Sequence, residues 1–283
     1  MPAFPSRATG TGTDVDSLLL LKAVLLGLIE GLTEFLPISS TGHLILASRW
    51  LEFNRPEAKT FEVVIQLGAI LAVCWEYRRR FIDTLCRWQA PDSRRLMLNV
   101  VLGCLPAAAL GALCHDFIKT VLFQPGVVAT ALIAGGIAIL LIERRAQPVV
   151  ATDIGQISPR LALAIGCIQA LALVPGVSRS GATILGGVAL GLGRRAATEF
   201  SFFLAVPIMF AASGLEVLKS GPALDGSAWW TIVPGFVVAF LSALLAIRFL
   251  IRFVSNHSFE VFAWYRIALG LAVLLVLGWS ADA

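Results

Sequence analysis

The chain has 283 residues, of which 58% are hydrophobic and 14% are charged. Soluble domains carry about 25% charged residues, so this composition excludes an ordinary soluble protein and indicates a membrane protein. The apolar runs are rich in Leu, Ala, Val and Gly on every face, which excludes the alternating strands of a membrane β-barrel. The net charge of +4 does not indicate a nucleic-acid partner, because the arginines lie in short loops between the apolar runs.

The chain begins with a polar segment rich in Gly and Thr, and we predict that residues 1–16 form a disordered tail. Residues 17–283 are predicted to form a single all-α membrane domain, a polytopic helical bundle. Six apolar runs are close to the roughly 20 residues that a helix needs to cross the hydrocarbon core. They cover residues 60–81, 96–117, 125–142, 198–219, 228–252 and 259–280.

Two further apolar regions, 17–52 and 159–193, are interrupted in the middle by Pro, Gly, Ser and charged residues. The halves of each region are predicted to be too short to cross the membrane alone. Irregular backbone at membrane depth is stable only where protein or a water-filled cavity satisfies its N–H and C=O groups. We therefore predict two re-entrant helix-loop-helix hairpins with buried polar loops.

The two interrupted regions resemble each other. One ungapped shift of the chain pairs Gly27 with Gly166 and Ser39 with Ser178, and it places Glu30 on Gln169. This register predicts two repeats, at about 17–142 and 159–280, each with one hairpin followed by three crossings. Because three is an odd number, the second repeat is expected to be inverted, so that the two polar loops face each other near the bilayer midplane.

Basic residues predict how the bundle sits in the membrane. Most arginines fall on one side of the predicted crossings, which is expected to be cytoplasmic, with both termini on the periplasmic side. They are Arg78, Arg79, Arg80, Arg87, Arg94, Arg95, Arg144, Arg145, Arg194, Arg195, Arg248 and Arg252.

Three charged residues of the interrupted regions are candidates for a site. Glu30 and Glu34 are four residues apart on one helix face inside an apolar run, where an ionised carboxylate must be paired or bound to a metal ion. Arg179 lies in the second interruption, where its guanidinium fits phosphate oxygens. A helix face that reaches the interface remains an alternative for the glutamates, and a structural ion pair with one of them remains an alternative for Arg179.

Hydroxyl groups accompany these charges. His43 is three residues beyond Ser40, so the two side chains would share a helix face, as a nucleophile and its base require. Neighbouring groups offer hydroxyls and free backbone N–H groups to an anion, although ordinary N-capping is an alternative for each hydroxyl. These candidate substrate-binding residues are Ser39, Thr41, Gly42, Ser178, Ser180, Gly181 and Thr183.

Together these groups suit a phosphate ester that is bound with a divalent cation, Mg²⁺ or Ca²⁺. Such cations are held by one or two carboxylates plus the substrate phosphates, and Glu30 and Glu34 are the predicted ligands. Glu62 and Gln66 are further polar residues near the first interruption. They could mark a helix end at the membrane interface or take part in the site, and the sequence favours neither interpretation.

Two long motifs, EGLTEFLPISSTGH at 30–43 and PGVSRSGATI at 175–184, resemble the signatures of the undecaprenyl-diphosphate phosphatase family, the bacitracin-resistance type. The resemblance extends from about Leu18 to the C-terminus. It implies hydrolysis of a C55 isoprenoid diphosphate to its monophosphate, which recycles the lipid carrier for peptidoglycan synthesis and gives resistance to bacitracin. It also implies a bacterial inner-membrane location with a site that opens to the periplasm.

The same resemblance implies roles for individual residues. Glu30 and Glu34 match the acidic pair of the family, Ser40 and His43 match its proposed nucleophile and general base, and Arg179 matches its phosphate-binding arginine. The residues that match its second loop are Ser178, Ser180 and Thr183. Whether Ser40, His43 or water attacks the phosphorus stays open.

Two other functions remain as alternatives. Broken helices in inverted repeats also occur in transporters, so a polyprenyl-phosphate transporter or flippase is one of them. The other is a phosphatase of the phosphatidic-acid type with a different substrate, although the contiguous Ser-Gly-His of that superfamily is absent from the chain. The expected partners are the polyprenyl diphosphate and membrane lipid, and a homodimer is left open.

Overall fold

The computed structural model describes residues 12–53, 58–114, 117–122, 124–145, 148–220 and 229–281. Regular structure in this part of the chain is helical, as predicted, apart from one isolated bridge between Ala151 and Leu192. Residues 1–11 of the predicted disordered tail lie outside the described residues, and residues 12–16 begin the first helix. The α-helices are α1 Gly12–Thr33, α2 Ser40–Trp50, α3 Ala58–Glu76, α4 Arg78–Cys86, α5 Pro91–Leu113, α6 Pro125–Glu143, α7 Pro159–Gln169, α8 Arg179–Ala189, α9 Arg194–Ser220, α10 Trp229–Val254 and α11 Glu260–Ala281.

Five helices of the described chain are long and apolar enough to cross a membrane. They are α3, α5, α6, the Arg194–Glu216 part of α9, and α10. These five confirm the first five predicted crossings as membrane-capable helices. The sixth predicted crossing, 259–280, coincides with α11. Large apolar side chains face outward over the bundle, including Leu113 and Trp230, as expected for a protein solvated by lipid.

The first interrupted region differs from its prediction in one respect. Its first helix, α1, has 22 residues because it begins at Gly12, within the predicted tail, and it is not among the five helices found long and apolar enough to cross. The apolar run from Leu18 to Leu32 contains no proline, so the helix continues until Thr33. The second region behaves as expected, because α7 and α8 have 11 residues each.

Two pairs of helices approach closely through glycines. A Cβ atom at Gly27 in α1 would lie 2.3 Å from the carbonyl oxygen of Gly235 in α10. A Cβ atom at Gly166 in α7 would lie 2.6 Å from the carbonyl oxygen of Gly103 in α5. Close backbone contact of this kind is how membrane helices associate without a hydrophobic driving force. Gly27 and Gly166 are also the pair that the sequence repeat aligns.

The two interruptions have the same local geometry. Ser39 and Ser178 both adopt a positive φ, 71° and 72°, which is strained for a residue with a side chain. Their hydroxyls accept hydrogen bonds from the backbone N–H groups of Gly42 and Gly181, so each serine caps the helix that follows. N-capping, the alternative raised for these hydroxyls, therefore applies to Ser39 and Ser178.

Candidate active site

The two polar loops, residues 34–39 and 174–178, meet inside the bundle. The Ser180 hydroxyl donates a hydrogen bond to the carbonyl oxygen of Leu36 at 2.8 Å. The guanidinium of Arg179 donates from Nη2 to Oε1 of Glu34 at 3.2 Å. The side chains of both charged residues are almost completely buried, with 12% of Arg179 and 7% of Glu34 exposed. Groups that are 145 residues apart in the sequence thus form one polar centre.

Glu34 connects the other groups of this polar centre. One of its carboxylate oxygens faces Arg179, and the other accepts a short hydrogen bond from the Ser40 hydroxyl. A carboxylate that accepts a hydrogen bond from a hydroxyl is placed to take the hydroxyl proton when the hydroxyl oxygen attacks an electrophile. The arrangement differs from the predicted Ser40–His43 pair, because the partner of Ser40 is Glu34.

His43 is held by other groups. Its Nδ1 lies 2.7 Å from the carbonyl oxygen of Ser39, which can only accept, so Nδ1 carries the proton. Its Nε2 lies 2.6 Å from the hydroxyl of Tyr265, and the two rings are stacked. With both ring nitrogens occupied, the imidazole is positioned to orient the start of α2. Sequence reasoning did not find Tyr265, because it lies 222 residues from His43 in an apolar segment.

Arg179 keeps part of its hydrogen-bonding capacity free. Its Nη1 donates to the carbonyl oxygen of Ser201 at 3.1 Å, and its Nη2 also lies 3.7 Å from the sulfur of Met209. Its Nε is buried and has no hydrogen-bond partner. The predicted alternative, an ion pair with Glu34, is present.

Some predicted residues of the second loop have their hydroxyls engaged by the protein. Ser180 bonds to Leu36 and lies 3.0 Å from the Ser178 hydroxyl. Thr183 donates to the carbonyl oxygen of Arg179 at 2.9 Å and contacts the Ser201 hydroxyl at 2.6 Å. These contacts fix the start of α8 against the first loop and α9.

A second buried arginine joins the two loops, and it was not singled out from the sequence. Arg266 in α11 is 1% exposed. Its guanidinium donates to carbonyl oxygens on three sides: Pro37 in the first loop, Gly176 and Val177 in the second loop, and Ala131 and Leu132 in α6. All five distances lie between 3.0 and 3.3 Å. An arginine inside a predicted crossing is itself a functional signal, and that rule would have found it.

A cavity of about 190 Å³ lies at the meeting point of the loops, room for about six water molecules. The predicted site residues at its wall are Glu34, Ser39, Ser40, Thr41, Ser178 and Arg179, with Gln66 and Gln169 beside them. The predicted residues Glu30, Gly42, His43, Ser180, Gly181 and Thr183 are not among the residues that line it.

Glu30 has the chemistry of a cation ligand. It is 1% exposed, and neither of its carboxylate oxygens has a hydrogen-bond partner. Glu34 and Glu62 both interact with it electrostatically. Within the described residues, no group of three or more His, Cys, Asp or Glu side chains could hold a metal ion. The unpartnered carboxylate of Glu30 and the carboxylate of Glu34 are hard oxygen donors, the kind that Mg²⁺ and Ca²⁺ prefer.

Fold and site together define a polytopic helical membrane protein with a buried polar centre that combines carboxylates, hydroxyls and arginines. The sequence profile of the family described as "Bacitracin resistance protein BacA" matches residues 23–272. The "Undecaprenyl-diphosphatase" of Nitrosomonas europaea is 53% identical over 273 residues, which is 95% of this chain and 100% of that protein. The "Undecaprenyl-diphosphatase" of Methylobacillus flagellatus is 54% identical over 265 residues, 92% of this chain and 98% of that protein. The chain belongs to the BacA family.

Proposed function

We propose that this protein hydrolyses undecaprenyl diphosphate to undecaprenyl phosphate and inorganic phosphate. It thereby recycles the lipid carrier for peptidoglycan synthesis and gives resistance to bacitracin. The support is the family match over residues 23–272 and the activity in the names of relatives that are more than half identical over nearly the whole chain. The buried Ser40–Glu34–Arg179 centre is the single structural observation that carries the proposal.

The chemistry follows from the contacts of Glu34. Ser40 Oγ attacks the terminal phosphorus, and its proton passes to Glu34, the acceptor it already faces. The bond between that phosphorus and the bridging oxygen breaks, and the prenyl monophosphate leaves with the bridging oxygen and takes the proton from Glu34. Water then attacks the phosphoserine and gives a proton to the ionised Glu34; the bond between Ser40 Oγ and phosphorus breaks, Glu34 returns the proton to Oγ, and inorganic phosphate is released. Phosphoryl transfer depends mainly on positioning and on stabilising charge at the phosphate oxygens.

Two features of the protein supply that charge stabilisation. Arg179 lies at the wall of the cavity, where its guanidinium charge stabilises the terminal phosphate. The capped starts of α2 and α8 add backbone N–H groups and the positive ends of two helix dipoles. A divalent cation, Mg²⁺ or Ca²⁺, supplies further neutralisation of the diphosphate when it is bound, and Glu30 and Glu34 are the residues that would hold it.

The proposal includes an inverted repeat with two re-entrant hairpins, α1–α2 and α7–α8. Matched glycine contacts at Gly27 and Gly166 and matched caps at Ser39 and Ser178 support it. The site then opens to the periplasmic side of the inner membrane, away from the arginine-rich ends of the helices. Light scattering of the purified protein in detergent measures whether it forms the homodimer that the sequence left open.

Phosphate release from C55 and C15 prenyl diphosphates by the purified protein tests the activity, with and without EDTA. We expect release that EDTA abolishes and that Mg²⁺ or Ca²⁺ restores. The Glu34→Gln variant removes the proton acceptor and should lower turnover by about 10²–10⁴-fold. A folded protein that binds the lipid but releases no phosphate with either cation would instead support a lipid transporter.

A further inference from the structure

A second polar groove lies far from the candidate active site, around the end of α10. A cavity of about 550 Å³ is lined by Leu245, Arg248, Phe249, Arg252, Phe253 and His257. A neighbouring cavity of about 300 Å³ shares Arg248 and Arg252 and extends to Tyr77 and Glu199. Because the two cavities share these two arginines, we treat them together and call them the α10 groove.

The α10 groove is separate from the candidate active site. The two have no lining residue in common. Along α3, the active-site cavity reaches Gln66, whereas the groove reaches Glu76 ten residues later, a distance of about 15 Å. The groove therefore lies near the end of the bundle, where α3 and α10 leave the apolar part of the membrane.

Positive charge in the groove exceeds negative charge. Arg248 is paired with Glu76 at 2.8 Å, and Arg195 is paired with Glu199 at 3.0 Å. Arg252 is exposed and has no carboxylate partner within the part of the chain that is described. The groove thus carries one unbalanced guanidinium, with a second, half-exposed guanidinium one helical turn away. A guanidinium at a membrane interface is well suited to a phosphate group.

An apolar stripe runs beside the charged stripe on the same helix. Leu245 is 66% exposed and Phe249 is 52% exposed, and each is one helical turn from the next member of the stripe. Phe249 contacts Phe253 at a ring distance of 5.5 Å, and Phe253 stacks on His257 at 4.7 Å. This apolar stripe extends away from the helix end, whereas Arg252 and His257 lie at the helix end. A phospholipid has the same arrangement, with its charged headgroup at the membrane surface and its acyl chain extending into the membrane.

We propose that the α10 groove binds an anionic phospholipid, with the headgroup phosphate on Arg252 and Arg248 and an acyl chain along Leu245 and Phe249. The positive-inside rule accounts for arginines on this side of the bundle. It does not account for a groove in which an unpaired arginine borders an exposed aromatic stripe. Other arginines on this side, such as the exposed Arg95, lie outside the two cavities and serve as controls.

Native mass spectrometry of the full-length protein from detergent tests the proposal, with phosphatidylglycerol and phosphatidylcholine of identical acyl chains as probes. We expect the first phosphatidylglycerol to bind more tightly than phosphatidylcholine. Arg252→Gln should weaken that binding by about fivefold, the effect of one basic residue near a membrane surface, and Arg95→Gln should leave it unchanged. Leu245→Ser should also weaken it, because the acyl chain loses its contact.

Three results would overturn the proposal. They are equal affinity of the wild-type protein for the two lipids, equal loss in Arg252→Gln and Arg95→Gln, and displacement of the lipid by inorganic phosphate at equal concentration. Thermal unfolding of each variant shows whether it is folded before the lipid is added. Ser40→Ala should retain phosphatidylglycerol, so the lipid site is tested independently of the proposed phosphatase activity.

Discussion

Arg266 holds the two loops of the candidate active site in one arrangement, and its replacement by Met should separate them. The guanidinium makes five hydrogen bonds to backbone carbonyls of both loops and of α6. At about 1 kcal/mol net for each bond, their loss destabilises the protein by up to about 5 kcal/mol. Removing a buried charge offsets part of this cost, and we expect a net loss of about 2–4 kcal/mol.

Two assays of Arg266→Met measure the consequences. A loss of this size lowers the melting temperature in detergent by roughly 3–7 °C, on the scale known for chains of this size. Phosphate release should fall by about 100-fold at a temperature where the variant is folded, because a displacement of about 1 Å between reacting groups has that effect. Arg266→Lys should be intermediate, since one ammonium has three donors and cannot reach all five carbonyls. Wild-type melting and wild-type turnover in Arg266→Met would refute this reasoning.

Three further predictions follow from the packing. Gly135→Ala should lower turnover and stability, because the new Cβ would lie 2.0 Å from the buried guanidinium, whereas Gly126→Ala on the same helix meets no atom within 4 Å and should change neither. Gly27→Ala should lower the melting temperature through its 2.3 Å approach to a backbone oxygen of α10, and Gly214→Ala, with open space around it, should not. Tyr265→Phe should lower turnover by less than about 10-fold, because one hydrogen bond to an orienting imidazole is lost and the proton acceptor is retained. Equal behaviour of either glycine variant and its control, or a loss in Tyr265→Phe as large as that in Glu34→Gln, would contradict these expectations.

The sequence was sufficient to locate the polar loops. Pro, Gly and Ser within apolar runs mark places where a membrane helix must break, and the breaks occur there in the structure. It was also sufficient to assign helices to the six long apolar runs, because length and apolar composition decide that assignment. The start of α1 was not predicted, since the helix begins at Gly12, inside the segment that was expected to be disordered.

The partners of individual side chains could not be predicted in the same way. Ser40 has both Glu34 and His43 within one or two turns, and spacing alone does not decide which of them it bonds. The hydrogen-bond partner of Ser40 depends on Tyr265, which comes from the far end of the chain and forms a hydrogen bond with the imidazole of His43. Arg266 similarly acts on residues that are 89 to 229 positions away, and contacts at such separations are set by tertiary packing.

The most direct test of the proposed mechanism compares phosphate release by Ser40→Ala with release by Ser48→Ala, in purified protein supplied with undecaprenyl diphosphate and a divalent cation. Both serines lie in α2, but Ser40 bonds to Glu34, whereas the Ser48 hydroxyl is buried without a hydrogen-bond partner. We expect Ser40→Ala to lose about 10³-fold or more in turnover, as enzymes do when a nucleophile is removed, and Ser48→Ala to keep wild-type activity. Wild-type phosphate release from Ser40→Ala would contradict a mechanism in which the Ser40 hydroxyl attacks the phosphorus.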